Sequence, residues 1–281
     1  MTLENKVVLL AGAGRGIGRW IAVKCAKEGA ALLLLARTER ELRDTLDLVK
    51  VSSPKSYFEV CDISRSQEVQ HAVQGAVNRF GTIDALVNIA AVQSPIGPFA
   101  DNPLGEWWRT IEINLLGTAT TIKEVLPVML RQGKGKIVNF SGGGATAPRT
   151  NFSAYGISKT AVVRFTETLA LELAKYHIDV NAVAPGAVNT GMLKEVLRAG
   201  ESAGREYVEA RQRDVAGGDD PSLAADLVAF LISDESDGIT GKLISAKWDP
   251  WREKGFQDVL RKETDVATLR RIDLKSFIRK P

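Results

Sequence analysis

The chain has 281 residues, of which 44% are hydrophobic and 25% charged, and its formal net charge of +3 gives no sign of a nucleic-acid-binding surface. No apolar run approaches the roughly 18 residues of a membrane span, and the first residues lack the basic and then apolar order of a signal peptide. Two distant cysteines and two isolated histidines predict neither a disulfide framework nor a metal site, so we expect a cytoplasmic protein without a nucleic-acid or membrane partner.

Short apolar runs alternate with amphipathic segments along most of the chain. The runs predict strands at 6–11, 31–36, 56–61, 85–91, 136–140, 179–184 and 242–246. The periodic segments predict helices at 19–29, 39–49, 66–80, 155–176 and 223–233, with one or two more at 107–131. Unbroken apolar strands joined by helices indicate a parallel sheet covered on both faces. The predicted fold is a single-domain, doubly wound, Rossmann-like α/β domain over residues 1–246.

Two segments interrupt this alternation. Residues 191–218 are charged and contain several glycines, which predicts one or two mobile helices over the site, here called the lid, or an ordinary solvated excursion. Residues 247–281 form a C-terminal extension, in which Trp248 and Trp251 either close over the substrate or a neighbouring subunit, or anchor the tail by packing. Residues 270–280 mix apolar and basic side chains, which suits docking on an acidic partner surface or partial disorder.

A glycine-rich turn follows the first predicted strand and opens the first helix. Its glycines, Gly12, Gly16 and Gly18, allow a sharp turn and a close backbone approach to a pyrophosphate at the helix N-terminus. The order differs from the common G-x-G-x-x-G, and a turn of this kind alone could be purely structural. Because it stands between a strand and a helix, we predict nucleotide binding.

Basic residues occupy the positions that decide between NAD and NADP. An NAD-specific site usually has an acidic residue after the second strand to hold the ribose 2′-hydroxyl. Here Arg37 stands at that position, and Arg15 lies inside the glycine-rich turn. Two guanidinium groups suit a 2′-phosphate, so NADP(H) is favoured over NAD(H), unless Arg37 is only a solvated residue at the strand end.

Two polar residues mark the ends of the third and fourth strands. Asp62 would accept a hydrogen bond from the adenine amino group, or would only cap the next turn. Asn88, in Asn88-Ile-Ala-Ala91, lies where a cofactor would cross the sheet edge. Both positions belong to the carboxyl edge of the predicted sheet, where open α/β sheets bind ligands.

Tyr155 and Lys159 stand four residues apart, so their side chains share one face of the predicted helix 155–176. An ammonium group beside a phenol favours the phenolate, and we expect the pKa of Tyr155 to fall from about 10 toward neutrality. The pair would then exchange a proton with a substrate hydroxyl or carbonyl. Taken alone, the spacing is more often that of a surface pair.

Further motifs stand in order along the chain. They are Asn114 in Ile-Asn-Leu, Asn181 at a strand end, Pro185-Gly186, Thr190 and Gly238-Ile-Thr-Gly241. Together with the glycine-rich turn, Asp62, Asn88 and the Tyr155–Lys159 pair, they make the chain resemble the short-chain dehydrogenase/reductase family over roughly residues 5–246.

The resemblance implies roles for the residues around Tyr155. Tyr155 would be the general acid in carbonyl reduction and the base in the reverse reaction, while Lys159 would lower its pKa and hold the nicotinamide ribose. Asn114 would shape the helix beside the site and anchor a water in the proton relay.

The same resemblance implies that the segment after the sixth strand borders the nicotinamide amide. Pro185, Gly186 and Thr190 would contact it, with Val188 joining through its backbone. Members of the family are usually dimers or tetramers, and the apolar segments 107–129 and 152–174 are the candidate interfaces of a homodimer or homotetramer.

The chain departs from the family at the serine usually found thirteen residues before the tyrosine. Gly142 stands at that position, and Ser141 precedes it, where a continuing strand would turn its side chain to the opposite face. Either the glycines of 142–144 let the backbone present Ser141, or a backbone N–H or water replaces the serine, or carbonyl reduction is weakened. Ala91, where the family usually has glycine, would tighten the floor of the site.

The expected site follows from these observations together. The expected catalytic residues are Asn114, Ser141, Tyr155 and Lys159. The expected cofactor-binding residues are Gly12, Arg15, Gly16, Ile17, Gly18, Arg37, Asp62, Ile63, Asn88, Ala90, Tyr155, Lys159, Pro185, Gly186, Val188 and Thr190.

The main hypothesis is an NADP(H)-dependent oxidoreductase acting on a secondary alcohol or ketone. The alternatives are a nucleotide-binding protein with little redox turnover, in a regulatory or assembly role, and redox-neutral chemistry such as epimerisation. An acyl-carrier-protein-linked ketone is the commonest substrate by family analogy. A phosphorylated, carboxylated or nucleotide-linked substrate would suit the basic residues of the two interrupting segments, although a solvated face explains them as well: Lys194, Arg198, Arg205, Arg211, Lys247 and Arg252.

Overall fold

A computed structural model describes residues 2–272 and contains one seven-stranded sheet. The strands are β1 (Val7–Ala11), β2 (Ala31–Ala36), β3 (Tyr57–Val60), β4 (Ala85–Asn88), β5 (Gly135–Phe140), β6 (Ile178–Ala184) and β7 (Leu243–Ser245). All pairs are parallel, in the order β3-β2-β1-β4-β5-β6-β7. The chain order reverses between β1 and β4, and a crevice forms at the carboxyl ends of strands at such a point.

Helices cover both faces of the sheet, which confirms the predicted doubly wound fold. They are α1 (Gly16–Lys27), α2 (Glu39–Lys50), α3 (Ser66–Phe80), α4 (Leu104–Ile111), α5 (Gly117–Gln132), α6 (Ser153–Leu173), α7 (Gly191–Ala199), α8 (Arg205–Ala216), α9 (Pro221–Leu231) and α10 (Lys254–Lys262). Helices α1, α2 and α9 pack on one face through side chains such as Ile21, Leu42 and Leu227. Helices α3, α5 and α6 pack on the other through side chains such as Val69 and Val125.

Three element boundaries differ from those predicted. The fourth strand ends at Asn88 instead of residue 91, because the N–H groups of Ile89 and Ala90 both turn back to the carbonyl of Ala11. The segment predicted as one or two helices is α4 and α5 joined by a π-helical turn at Glu112–Leu116. Helix α10, inside the C-terminal extension, was not predicted, because the predictions for that extension rested only on its two tryptophans and its basic end.

The lid consists of α7, a 3₁₀ turn at Gly200–Ala203, and α8. Leu193 and Val196 of α7 pack with Ala210 of α8 on the side chains of Phe152 and Tyr155. This apolar contact places the lid directly over the first turn of α6. No helix in residues 2–272 has the length and apolar character needed to cross a membrane.

The C-terminal extension packs back onto the domain as far as the structure describes it. Trp251 is buried and lies 5.6 Å from the ring of Phe230, whereas Trp248 is 76% exposed. The carbonyl of Ala267 accepts the N–H of Leu243, so the tail covers the free edge of β7. Residues 273–281, the end of the segment predicted to dock or to be disordered, lie outside the described residues.

Candidate active site

A cavity of about 300 Å³ lies at the carboxyl ends of β1, β4 and β5, and it brings most of the expected residues together. The expected residues that line it are Gly12, Arg15, Gly16, Ile17, Gly18, Arg37, Asp62, Ile63, Ala90, Ser141, Tyr155, Lys159, Pro185 and Thr190. The remaining four lie outside the lining: Asn88, Asn114, Gly186 and Val188. The cavity is thus a groove that runs from the glycine-rich turn to Tyr155.

The glycine-rich turn fits a pyrophosphate. At Gly12, where φ is +104°, an added Cβ would lie 2.5 Å from the backbone nitrogen of Ala90. At Gly18 an added Cβ would overlap the carbonyl oxygen of Gly12. No side chain caps the first turn of α1, so its N–H groups stay available to an anion at the positive end of the helix.

Helix α2 supports this turn from outside the cavity. The buried Thr45 hydroxyl donates to the carbonyl of Gly14 at 3.0 Å, and the Arg19 guanidinium donates to the same carbonyl at 2.8 Å. Arg19 also donates to Thr45 at 3.0 Å. These bonds fix the middle of the turn, and neither residue was identified from the sequence, because their contact with Gly14 depends on how α1 and α2 pack around the turn.

The adenosine end of the groove carries both expected arginines and one unexpected acid. Arg15 Nη1 lies 3.4 Å from Glu41 Oε1, and both residues line the cavity. Arg37 also lines it and helps to lower the pKa of Asp62. Glu41 was missed because its place beside Arg15 depends on how α2 folds over the turn, 26 residues further along the chain.

Asp62 lines the cavity and also caps the turn that follows it. Its Oδ1 accepts the N–H of Ser64 at 3.0 Å and the Ser64 hydroxyl at 2.7 Å. Burial by itself would raise the pKa of Asp62, but these hydrogen bonds and the charge of Arg37 lower it overall. Asp62 Oδ1 therefore caps the following turn, as one of the two alternatives predicted. The contact between Asp62 and the adenine stays a prediction.

Two buried asparagines hold the walls of the site. Asn88 donates to Asn139 at 3.0 Å and accepts from the Thr121 hydroxyl at 2.7 Å, which joins β4 to β5 and α5. Asn114 accepts from the Val92 N–H at 2.8 Å and donates to the Val92 carbonyl at 2.8 Å. The side chains of both asparagines are therefore committed to protein partners.

Asn114 lies within the π-helical turn and also touches the helix that carries the tyrosine. Its amide donates to the Ser158 hydroxyl at 2.9 Å, and Ser158 in turn donates to the carbonyl of Tyr155 at 2.7 Å. Single π turns are frequent at functional sites. Here the turn couples the segment after β4 to the backbone of Tyr155, which supports the expected shaping role of Asn114.

The Tyr155 and Lys159 side chains are both buried at the inner end of the cavity. Lys159 Nζ donates to the carbonyl of Phe140 at 2.8 Å and lies 5.8 Å from the centre of the Tyr155 ring. Burial raises the pKa of Tyr155 to about 12, although the nearby Arg149 guanidinium lowers it, and burial lowers the pKa of Lys159 to about 8. The expected fall of the Tyr155 pKa was therefore wrong in direction, because the effect of burial outweighs that of the Arg149 charge.

The space of the absent serine is filled by the tyrosine itself. A Cβ on Gly142 would overlap the Tyr155 hydroxyl oxygen, whereas a Cβ on Gly143 would be 3.6 Å from its nearest neighbour, in Arg149. Ser141 lines the cavity together with Tyr155. β5 ends at Phe140, although the Ser141 N–H still donates to the carbonyl of Val183 in β6 at 2.9 Å, and the expected role of Ser141 stays a prediction.

An ion pair that the sequence did not reveal ties the lid to the site. Arg149 donates from Nε to Glu206 Oε1 at 3.0 Å and from Nη2 to Oε2 at 2.9 Å. Its guanidinium also stacks over the Phe152 ring, with Cζ 3.7 Å from the ring centre. Arg149 and Glu206 are 57 residues apart, so no local pattern connects them.

Comparison with known proteins identifies the architecture around this groove. A family model described as short chain dehydrogenase matches residues 6–200. The chain belongs to the short-chain dehydrogenase/reductase family. It is an oxidoreductase of that family, and the glycine-rich turn and Tyr155-x-x-x-Lys159 lie within the matched residues.

Members of the short-chain dehydrogenase/reductase family resemble the chain over nearly its whole length. It is 36% identical to the short-chain reductase protein NovJ of Streptomyces niveus over 248 residues, which cover 86% of this chain and 92% of that protein. Among solved structures, NAD⁺-bound xylitol dehydrogenase superposes with a TM-score of 0.82 at 30% identity, covering 87% and 98%. Actinorhodin polyketide ketoreductase with NADPH superposes with a TM-score of 0.79 at 34% identity, covering 85% and 95%. Nicotinamide cofactors of both types therefore occur among its structural relatives.

No metal site accompanies the groove in the described part of the chain: residues 2–272 bring together no group of three or more His, Cys, Asp or Glu side chains that could hold a metal ion. The two histidines lie outside the cavity lining.

Proposed function

We propose that the protein is an NADP(H)-dependent oxidoreductase that interconverts a secondary alcohol and a ketone, with Tyr155 as the proton donor and acceptor. The observation that carries this proposal is the joint position of Tyr155, Lys159 and Ser141 at the inner end of a groove that begins at an uncapped helix N-terminus. One end of the groove offers free N–H groups to the cofactor's pyrophosphate, and the other end holds Tyr155 as the proton-transfer group.

The residues of the chain divide the chemistry between them. A bound nicotinamide supplies or takes the hydride. The Tyr155 hydroxyl makes no hydrogen bond within residues 2–272, so it is free to donate its proton to a carbonyl oxygen and to take it back from an alcohol. Lys159, held by the Phe140 carbonyl, places a positive charge beside the cofactor ribose, and Ser141 orients the substrate oxygen.

The preference for NADP(H) rests on Arg15 and Arg37 at the adenosine end. Glu41 opposes it in part, because this acid pairs with Arg15 and would repel a 2′-phosphate. Arg37→Asp should shift the ratio of NADPH to NADH affinity at least about tenfold toward NADH. Arg40→Asp is the matched control, since Arg40 is exposed one turn away and does not line the cavity. An unchanged ratio in Arg37→Asp would remove Arg37 from the 2′-phosphate site.

The lid side of the groove favours an uncharged ketone over an anionic one. Leu193 and Val196 cover Tyr155 from above, and Arg149 is already paired with Glu206. None of the basic residues that suggested an anionic substrate lines the cavity, and Lys247 and Arg252 are paired with Asp219 and Asp226.

A panel of ketones, each offered with and without a carboxylate, tests the function. We expect NADPH oxidation with uncharged members, and a loss of at least about 100-fold in Tyr155→Phe with cofactor affinity retained. The competing function, nucleotide binding with little turnover, predicts that NADPH binds while no ketone reacts and that Tyr155→Phe behaves like the wild type.

Exposed apolar side chains support self-association, as a homodimer or homotetramer. Trp108 of α4 is 62% exposed, Leu116 of the π-helical turn is 54% exposed and Ile157 of α6 is 53% exposed, and all three lie within the predicted interface segments. Buried, unpaired Cys25 and Cys61 support a cytoplasmic location. Light scattering of the purified protein tests the assembly.

A further inference from the structure

Asp219 lies between the lid and α9, and it is hydrogen-bonded to the segment that follows β6, residues 185–190. Its Oδ2 accepts the N–H of Ala187 at 2.7 Å, and its own N–H donates to the carbonyl of Ala187 at 3.1 Å. Asp219 therefore binds both the N–H and the carbonyl of Ala187. A side chain on either flanking glycine would prevent this, because a Cβ on Gly186 would lie 2.7 Å from Asp219 Oδ2 and a Cβ on Gly218 would lie 2.7 Å from the Ala187 carbonyl.

Segment 185–190 runs along the inner end of the cavity. Pro185 and Thr190 line the cavity on either side of Ala187. A second bond holds the same segment to the lid, since Asn189 Nδ2 donates to the carbonyl of Arg213 in α8 at 2.8 Å. The position of the segment is thus set by the residues that leave the lid, and not by β6 alone.

The C-terminal extension holds Asp219 from the other side. Lys247 Nζ donates to Asp219 Oδ1 at 2.6 Å, and the Asp219 side chain is 18% exposed while that of Lys247 is 35% exposed. The Lys247 ammonium lowers the pKa of Asp219, so the carboxylate remains charged at neutral pH. One carboxylate therefore joins three parts of the chain: the segment after β6, the end of the lid and the start of the extension.

We propose that Asp219, oriented by Lys247, is a positioning residue that sets the segment 185–190 against the nicotinamide half of the cofactor. This inference rests on the proposed function, because it requires a nicotinamide dinucleotide in the groove. Asp219 does not line the cavity and acts only through Ala187. Its removal should therefore weaken binding of the nicotinamide half and leave the adenosine half unaffected.

Three variants separate the two contacts of the carboxylate. Asp219→Ala removes both, Asp219→Asn keeps an acceptor for the Ala187 N–H, and Lys247→Met removes only the ion pair. Arg252→Met is the matched control, because Arg252 lies in the same extension as Lys247 but pairs with Asp226 of α9. Affinity is measured for the intact reduced cofactor that the wild type binds more tightly and for its adenosine fragment, 2′,5′-ADP for NADPH or ADP for NADH.

We expect the affinity for the intact cofactor to fall about tenfold in Asp219→Ala and about threefold in Asp219→Asn and Lys247→Met. The affinity for the adenosine fragment should stay within about twofold in all variants, and Arg252→Met should match the wild type. The fluorescence of the bound reduced nicotinamide should move toward that of the free cofactor in Asp219→Ala, which a merely structural role would not produce.

Two results would overturn the proposal. One is an intact-cofactor affinity that is unchanged in all three variants. The other is an equal loss for cofactor and fragment, which would mean that Asp219 supports the fold as a whole. If Asp219→Ala does not fold, the two milder variants decide between the same outcomes. A wild-type protein that binds no dinucleotide would instead refute the proposed function.

Discussion

Two glycine-rich turns follow strands of the same sheet, and they are packed in different ways. In the turn after β1, the space of an added Cβ at Gly12 or Gly18 is taken by backbone atoms. In the turn after β5, the space at Gly142 is taken by the end of the Tyr155 side chain, and that at Gly143 is open to ordinary contact. At Gly12 and Gly18 the first turn is therefore packed against main chain, whereas at Gly142 the second turn is packed against a side chain.

This difference matches what each turn has to hold. A pyrophosphate has one shape, and a turn built from main-chain atoms presents the same N–H groups whatever the side chains around it. Substrates differ between relatives that share a fold. The shape of the second turn is accordingly set by side chains that can vary, here Tyr155 and Arg149. The predictions below test whether Gly18 of the first turn resists substitution, and whether Gly142 of the second turn resists it while Gly143 does not.

The largest expected effect is in the first turn. Gly18→Ala should reduce the affinity for the dinucleotide at least about 100-fold, because the new methyl group overlaps the Gly12 carbonyl and must displace the main chain. Gly105→Ala, in the first turn of α4 with open space around it, is the control and should bind the cofactor normally. Titration of reduced cofactor by fluorescence measures both. Tight binding in Gly18→Ala would mean that the first turn is as adaptable as the second.

A smaller effect on the chemistry, without one on cofactor binding, is expected in the second turn. Gly142→Ala should lower kcat about 30- to 100-fold, because its methyl group displaces the Tyr155 hydroxyl. Gly143→Ala should retain most activity, since its nearest contact would be 3.6 Å away. Steady-state kinetics with the best ketone of the panel compares them. Equal activity of the two variants would show that Tyr155 moves aside freely.

The two turns also differ in how far the sequence reveals them. Gly12, Gly16 and Gly18 are a local pattern between a strand and a helix, so their geometry could be predicted. The direction of the shift in the Tyr155 pKa could not, because the spacing places Lys159 on the right helix face but does not show how deeply the folded chain buries the phenol. The same holds for Asp219, whose partners Ala187 and Lys247 are 32 and 28 residues away.

The fold was predictable because most of its strands contain an apolar run that the sequence shows directly. The lid contacts were not, since apolar residues at helical spacing in α7 do not say which surface they cover. Arg149 and Glu206 illustrate the limit, because both were exposed charges by composition and form a shielded bidentate pair in the structure. Pairs of this kind depend on tertiary packing, and only the folded chain identifies them.

Ser141 offers a finer test of the second turn. Ser141→Ala should lower kcat/KM about tenfold, the effect of one hydrogen bond to the substrate oxygen. The cofactor affinity should not change, because the hydroxyl lies at the tyrosine end of the cavity. Kinetics and fluorescence titration on one preparation separate these quantities. Unaltered turnover would remove Ser141 from the mechanism and leave a backbone N–H or a water to bind the carbonyl.

The smallest expected effect concerns pH. With the pKa of Tyr155 at about 12, the phenol keeps its proton throughout the neutral range. The rate of carbonyl reduction should then vary less than about twofold from about pH 6 to about pH 7.5. A tyrosine with a pKa near neutrality would lose its proton in this window, and the rate would fall as the pH rises.

A fall that begins only near pH 8 would report Lys159, whose pKa of about 8 makes it the first of the pair to lose its proton. The pH profile of reduction therefore tells which of the two side chains carries the titration.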